Sequence, residues 1–398
     1  MLKEYKAQSE EKEKVLMVGA TASMIRHFNQ RNIKILQELG YEVHVATNMI
    51  KIGSMSPEEN ERFKEWMKDS DVIAHQVDFE RRLGTIKGNI LAIRQLKQLF
   101  KDNNYKFIHV HSPLGSILGR YVAWRFKVPA IYTAHGFHFF KGGPKSGWLV
   151  FFPIEWFFSF FTDTLITINE EDFDIAKKYM HARYTTKING IGVDVSKAWE
   201  TPIAYKKNAQ KKICQELGIP EEGILISSVG ELNNNKNHKI VLDALGLMSL
   251  EERQKFYYII AGTGTNVQIL TDMAKNINFS DHFQLLGYRN DIHDINFASD
   301  ISIFPSLREG LGIAGLDATV DGTYLIATNR GGVSNYLRDG VNGKSFDPEN
   351  AVELKNLLLA NLETRPKKFD TKFDFLEKFD IKNVDETMKK VYKQWTKK

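Results

Sequence analysis

A chain of 398 residues is too long for one ordinary core, so two domains of about 200 residues each are expected. With 42% apolar and 26% charged residues it has the composition of a soluble globular protein, and its modest net charge of +5 predicts no nucleic-acid partner. The single cysteine, Cys214, excludes a disulfide framework and a thiolate metal site and fits a reducing compartment.

Residues 1–14 are polar and heavily charged, which predicts no signal peptide. Short β-rich runs then alternate with amphipathic helical stretches, the pattern of parallel α/β sheets. The first series reads "KVLMVG" (14–19), "YEVHVAT" (41–47), "DVIAHQV" (71–77), "FIHVH" (107–111), "AIYTAH" (130–135) and "TLITIN" (164–169). After its first strand "GATAS" (19–23) falls short of a dinucleotide fingerprint but offers a small-residue turn. Arg81, Arg82, Lys87, Arg94, Lys97 and Lys101 form a basic run with no acid, either a solvated helix face or a surface for anionic phospholipid. His109 and His111 alternate on a strand, and His135 and His138 flank a Gly-Phe turn. No carboxylate stands at ligand spacing from them, so no metal site is expected.

The segment "GWLVFFPIEWFFSFF" (147–161) carries a single acid and includes Pro153, too short and interrupted to span a bilayer. It reads either as a buried interdomain helix or as an interfacial helix resting on a membrane. Lys141 and Lys145 lie just upstream of Trp148 and Trp156, and the basic bias of residues 101–150 favours the membrane. Residues 189–222, with glycines, prolines and lysines, read as a linker.

A second α/β series follows: "GILISSVG" (223–230), "FYYIIAG" (256–262), "HFQLLG" (282–287), "DISIFP" (300–305) and "TYLIAT" (323–328). Two open sheets in tandem bind ligands at the carboxyl ends of their strands. In "SVGELNNNKNHKIVLDAL" (228–245) a polar loop leads into a helix, and Lys236 stands where its ammonium meets an anion. In "REGLGIAGLD" (308–317) the N–H groups of Gly310, Leu311 and Gly312 can face a pyrophosphate, while Glu309 accepts from hydroxyls. Asp317, roughly two turns further on, can accept from a second pair of hydroxyls. A serine nucleophile elbow and a P-loop are both absent. The last residues, from Phe373 on, read as helices.

This ordered set resembles the retaining family 4 glycosyltransferases with the GT-B fold, over nearly the whole chain and most strongly from residue 228 to 347. "VGELNNNK", "AGTG", "LLGYRNDI", "FPSLREGLG" and "NRGGVSNYLRDGVNGKSFDP" occur in that family's order, and Glu309 to Asp317 occupies its Glu-x7-Glu element. "FIHVHSPLGSILGR" and "YTAHGFHFFKG" resemble a branch that builds bacterial capsular and exopolysaccharide glycans. The resemblance implies an α/β fold of two Rossmann-like domains facing a central cleft. Residues 1–198 would form the acceptor side, 199–372 the nucleotide-sugar side, and 373–398 helices packing back on the first domain. It implies that Lys236 holds the donor diphosphate, Glu309 the transferred sugar, Asp317 the ribose, and the N–H groups after Glu309 the phosphate oxygens. Arg289 would stand at the base. His135 would reach the sugar from the other domain, near the reacting carbon, and Gly19 would face the cleft. Arg81, Arg82, Lys141, Lys145, Trp148 and Trp156 form the expected acceptor and membrane side.

Two positions depart from the family: Glu231 replaces its signature arginine, and Asp317 is one methylene shorter than its usual glutamate. With Glu231 in that place, Lys236, Arg308 and backbone amides must neutralise more of the pyrophosphate, or Glu231 points away. The implied activity is metal-independent, cofactor-free transfer from a nucleotide-sugar, a UDP-sugar by resemblance, to a polyprenyl-diphosphate-linked saccharide. The place of action is the cytoplasmic face of the plasma membrane, with peripheral contact. Two rivals remain: a nonhydrolysing UDP-sugar epimerase, and a non-catalytic sugar- or membrane-binding subunit. Isomerisation of a UDP-sugar without acceptor marks the first; the Glu231 departure is what favours the second.

Overall fold

The computed structural model describes residues 12–81, 83–111, 113–364 and 372–396. Arg82, one of the expected acceptor-side cations, lies outside them. Seven strands build the first sheet: β1 (Lys14–Gly19), β2 (Glu42–Thr47), β3 (Ile73–Gln76), β4 (Tyr105–His111), β5 (Ala130–Ala134), β6 (Thr164–Thr167) and β7 (Tyr184–Lys187). Six build the second: β8 (Ile224–Val229), β9 (Phe256–Ala261), β10 (Phe283–Gly287), β11 (Ile301–Phe304), β12 (Tyr324–Thr328) and β13 (Gly343–Phe346). The orders are 3-2-1-4-5-6-7 and 10-9-8-11-12-13, with every pairing parallel.

The central strands are near-continuous apolar runs because helices cover both faces, as in β1, where every residue after Lys14 is buried. β7 and β13 are edge strands that the sequence pattern missed. "YTTK" and "GKSF" are half-polar and carry no clear alternation. Strand order reverses between β1 and β4 and again between β8 and β11. Crevices therefore open at the carboxyl ends of those strands in both sheets.

Residues 189–222 are not the irregular linker expected. They hold the helices Val195–Glu200 and Ile203–Leu217. In the second, Lys206, Ala209 and Ile213 are buried at helical spacing while the other lysines form its solvated face. That lysine-rich face is what made the segment look like a tether. The final helix, Ile381–Thr396, buries Val384, Met388, Val391, Tyr392 and Trp395, and crosses back onto the first half. There it meets the helix Gln30–Glu38, Tyr392 stacks on Phe107, and Arg31 pairs with Asp385 at 3.0 Å.

The aromatic segment is neither interdomain nor fully buried. A π-helical turn, Gly147–Phe151, runs into the helix Phe152–Ser159 on the flank of the first sheet. Its lone acid explains how it is fastened. Glu155 is buried and accepts from Arg120 Nη2 at 3.0 Å and from the Tyr132 hydroxyl at 2.9 Å. Trp148 and Phe152 pack inward beside Phe139, whereas Leu149 (79% exposed), Val150, Trp156, Phe157 and Phe160 face out. Among the described residues no helix is long and apolar enough to cross a membrane.

Candidate functional site

Two loops at the switch point of the second sheet bring Lys236 and Glu309 together. Asn233 Oδ1 accepts from the Lys236 N–H at 2.9 Å and folds the polar loop after β8 back on itself. The Leu307 N–H donates to Asn235 O at 2.8 Å, and Asn235 Nδ2 donates to Arg308 O at 3.0 Å, so this loop is stitched to the one after β11. Lys236 Nζ then lies 2.5 Å from Glu309 Oε1 with its ammonium over the Phe304 ring. Both groups remain partly open to solvent, so a diphosphate can take the ammonium and hydroxyls the carboxylate.

Glu309 leads into Gly310, Leu311 and Gly312, whose N–H groups have no acceptor among the described residues. Gly312 caps the helix Ile313–Val320 with φ +83, a conformation that favours glycine. Unpaired N–H groups at a helix start form an anion-ready concavity.

The facing lip belongs to the first sheet. His109 and His111 project from the end of β4, and His135 follows β5. His109 Nδ1 lies 2.7 Å from the Tyr392 hydroxyl and Nε2 lies 2.8 Å from Thr133 Oγ1. His111 Nδ1 lies 3.1 Å from His135 Nε2. Burial lowers the pKa of His135 to about 4 and that of His109 to about 3, while His111 is also held well below the ordinary value. The cluster is neutral at physiological pH and forms a hydrogen-bonded framework. Among the described residues no three His, Cys, Asp or Glu side chains converge for a metal ion.

The lips touch through backbone. A Cβ on Gly310 would stand 2.4 Å from His135 O, and one on Gly136, at φ +118, would stand 3.0 Å from the Gly310 Cα. Arg308 Nη2 donates to the carbonyls of Gly136 at 3.1 Å and Phe137 at 3.0 Å. Arg308 therefore spans the cleft. Glu231 is exposed at the loop's rim.

Other expected residues lie further off. Asp317 sits one turn before Asp321, and burial together with Asp321 pushes its carboxyl up to about 7. Asp321 meets His293 Nδ1 at 2.9 Å, beside a cavity of about 560 Å³ lined by Lys197, Tyr205, Asp291 and His293. The Arg289 guanidinium is taken up by Glu216 at 2.6 Å and Asp291 at 2.6 Å, so its side chain is committed away from the Lys236–Glu309 pair. Beside Gly19 a side chain would meet Ile25 Cδ1 at 2.8 Å. The helix Ala22–Phe28 closes over the end of β1 beside that glycine.

On the outer side, Trp148 turns inward and donates from Nε1 to Phe140 O at 3.2 Å, which removes it from the exposed aromatic face. Lys141 and Lys145 are exposed. Arg81 Nη2 donates to Gly53 O at 3.1 Å and lines a cavity of about 730 Å³ with Lys51, Glu80, Leu83, His138 and Phe151. Sequence reasoning missed Asn169 and Asp172, which bind both lips. Their signal was present in "TINEED", a polar cap followed by acids at a helix start.

Comparison with known proteins agrees with this layout. Residues 209–373 match the family model described as glycosyl transferases group 1, and residues 14–169 match glycosyl transferase 4-like. The putative glycosyltransferase EpsD of Bacillus subtilis (strain 168) is 32% identical over 335 residues, spanning 83% of this chain and 82% of that one. The Escherichia coli UDP-Gal:alpha-D-GlcNAc-diphosphoundecaprenol alpha-1,3-galactosyltransferase is 31% identical over 274 residues, spanning 65% of this chain and 68% of that one. Among solved structures, Anabaena Alr3699/HepE in complex with UDP and glucose superposes with a TM-score of 0.73 at 16% identity, over 96% of this chain and 100% of that one. The lipopolysaccharide glycosyltransferase WaaG gives 0.65 at 16% identity, over 95% and 98%. At that identity the structures establish the fold.

Proposed function

The chain belongs to family 4 of the glycosyltransferases, with the GT-B fold, and on that premise we propose that it is a retaining, metal-independent transferase. It moves a sugar from a UDP-sugar to a polyprenyl-diphosphate-linked saccharide during surface polysaccharide assembly. The observation that carries this reading is the Lys236–Glu309 pair beside three N–H groups without an acceptor among the described residues, with His135 across the cleft.

In this mechanism the donor separates the ion pair. Its diphosphate takes Lys236 and the N–H groups of Gly310, Leu311 and Gly312; hydroxyls of its sugar take Glu309. As the C1–O bond breaks, negative charge grows on the β-phosphate, where those fixed donors stabilise the transition state more than the ground state. His135, neutral and anchored by His111, offers hydrogen bonds next to the reacting carbon. The acceptor hydroxyl attacks from the face the nucleotide leaves and passes its proton to the departing β-phosphate oxygen, so configuration at C1 is kept. Asp317 remains the candidate for the ribose.

The acceptor enters through the cavity lined by Lys51, Arg81 and His138, where the Lys51 and Arg81 cations suit a diphosphate. Ile86 (83% exposed) and Leu149 on nearby segments suit a lipid. The E. coli relative acts on a diphosphoundecaprenol-linked sugar, which supports that class of acceptor. Peripheral contact with the inner face of the plasma membrane follows from this acceptor and from the exposed Trp156–Phe160 stripe.

A panel of UDP- and GDP-sugars assayed by thermal shift tests the donor site. One UDP-sugar is expected to stabilise the wild type. Glu309→Ala is expected to keep the response to UDP and lose most of the extra response to the sugar. A wild type unmoved by every nucleotide would sink the transferase reading in favour of a non-catalytic subunit. UDP-sugar isomerisation without acceptor would point to an epimerase.

A further inference from the structure

Besides Arg308, a buried side chain that belongs to neither catalytic loop ties the two lips together. Asn169 follows β6 and caps the helix Glu170–Tyr179, its Oδ1 accepting from the Asp172 N–H at 2.8 Å. Its Nδ2 donates at 2.8 Å to Gly310 O, across the cleft, and at 2.8 Å to Asp172 Oδ2. The same Asp172 oxygen accepts from the Phe137 N–H at 3.1 Å, in the loop that carries His135. Asn169 and Asp172 are both buried, so each of these bonds forms away from competing water. At the rim, the Glu170 N–H donates to Asn335 Oδ1 at 3.0 Å and closes the seam between the halves.

The bond to Gly310 O has a geometric consequence. The Gly310 carbonyl and the Leu311 N–H belong to one planar trans peptide and point in opposite directions. Fixing the carbonyl on Asn169 fixes the Leu311 N–H pointing the opposite way within the same plane. That N–H is one of the three without an acceptor among the described residues. A glycine flanks this peptide, and without the bond its plane turns easily.

We propose that Asn169 is a positioning residue. Its amide orients the Gly310–Leu311 peptide toward the donor phosphate and does so only when the two lips meet, coupling domain closure to assembly of the phosphate site. Asp172 is its partner, holding the His135 loop on the same carboxylate. This inference rests on the transferase reading above.

Asn169→Ser separates the two jobs of this side chain. Serine keeps the helix cap, since its hydroxyl also accepts from the Asp172 N–H, but it is too short to reach Gly310. With purified full-length chain and a UDP-sugar donor, Asn169→Ser should lower kcat about tenfold, on the scale of one well-made hydrogen bond. Donor KM should stay within about twofold and thermal stability close to wild type. Small-angle scattering with saturating UDP should show the variant more extended than the wild type. A kcat within twofold of wild type overturns the proposal, as does a kcat loss matched by an equal rise in KM. An inactive wild type would instead refute the transferase reading. The scattering arm then decides the coupling alone: equally compact particles would reject it.

Discussion

The lip built on β8 and β11 is ionic, with Lys236 and Glu309 paired 2.5 Å apart beside bare N–H groups. The lip built on β4 and β5 is neutral, with His109, His111 and His135 desolvated, His111 bonded to His135, and His109 to Thr133 and Tyr392. The same contrast recurs on the outside. The first half exposes Leu149, Trp156, Phe157 and Phe160 in one stripe, while the second shows no aromatic run of that kind among its described residues. A site that must seize a doubly charged diphosphate keeps full charges near water, where their desolvation cost is small. One that must sit beside a reacting carbon gains from burial, which removes its charge and fixes its orientation.

The contrast breaks most visibly at its ionic side. Lys236→Ala removes the ammonium proposed to take the diphosphate, and kcat should fall by about 10² to 10³-fold. Single-turnover measurements of nucleotide release would check it, and a loss below tenfold would mean that backbone N–H groups carry the charge alone. The outer asymmetry is tested by Trp156→Ser/Phe157→Ser. Co-sedimentation with vesicles containing anionic phospholipid should weaken by about tenfold, as expected when two partly exposed aromatic rings lose their apolar contact. Equal binding by wild type and variant would place the lipid surface elsewhere.

The neutral side makes a smaller, signed prediction. The folded pKa values of His135, His138 and His238 are near 4 and that of His109 near 3, all lowered first by burial. The unfolded chain keeps histidines near 6.5, so it binds more protons between those limits. Stability is therefore present above pH 6.5 and lost as pH falls through the window. Asp172 and Asp317, raised by burial to about 6 and about 7, act in the opposite direction. Because the histidines outnumber them, Tm should drop by about 5 °C between pH 7.5 and 5. A Tm that rises on acidification would assign the pH dependence to the carboxylates.

Much of this was legible in the chain because its signals are local. Strands such as "KVLMVG" and "DISIFP" are continuous apolar runs closed by turn residues, and the structure places them within a residue or two of the expected bounds. The edge strands β7 and β13 were not legible, since half-polar four-residue segments carry no period. The helices in residues 189–222 were hidden by their lysines. Glu309 and the glycines after it could be picked out by chemistry, as could Lys236, because each sits in a loop beside a helix start. The partners of the Arg289 and Trp148 side chains, Glu216 with Asp291 and the Phe140 carbonyl, could not be read that way, because packing chooses them.

The sequence by itself determined two parallel α/β sheets, the order of their motifs, and which loops carry cations and carboxylates. Those properties depend on hydrophobic period and residue chemistry over a few neighbours. Only the tertiary structure decided that Lys236 meets Glu309, that Arg308 spans the cleft, that the histidines are neutral, and that Asn169 reaches Gly310. Each of these depends on which groups, distant in the chain, share one desolvated space, and no local pattern of residues encodes that.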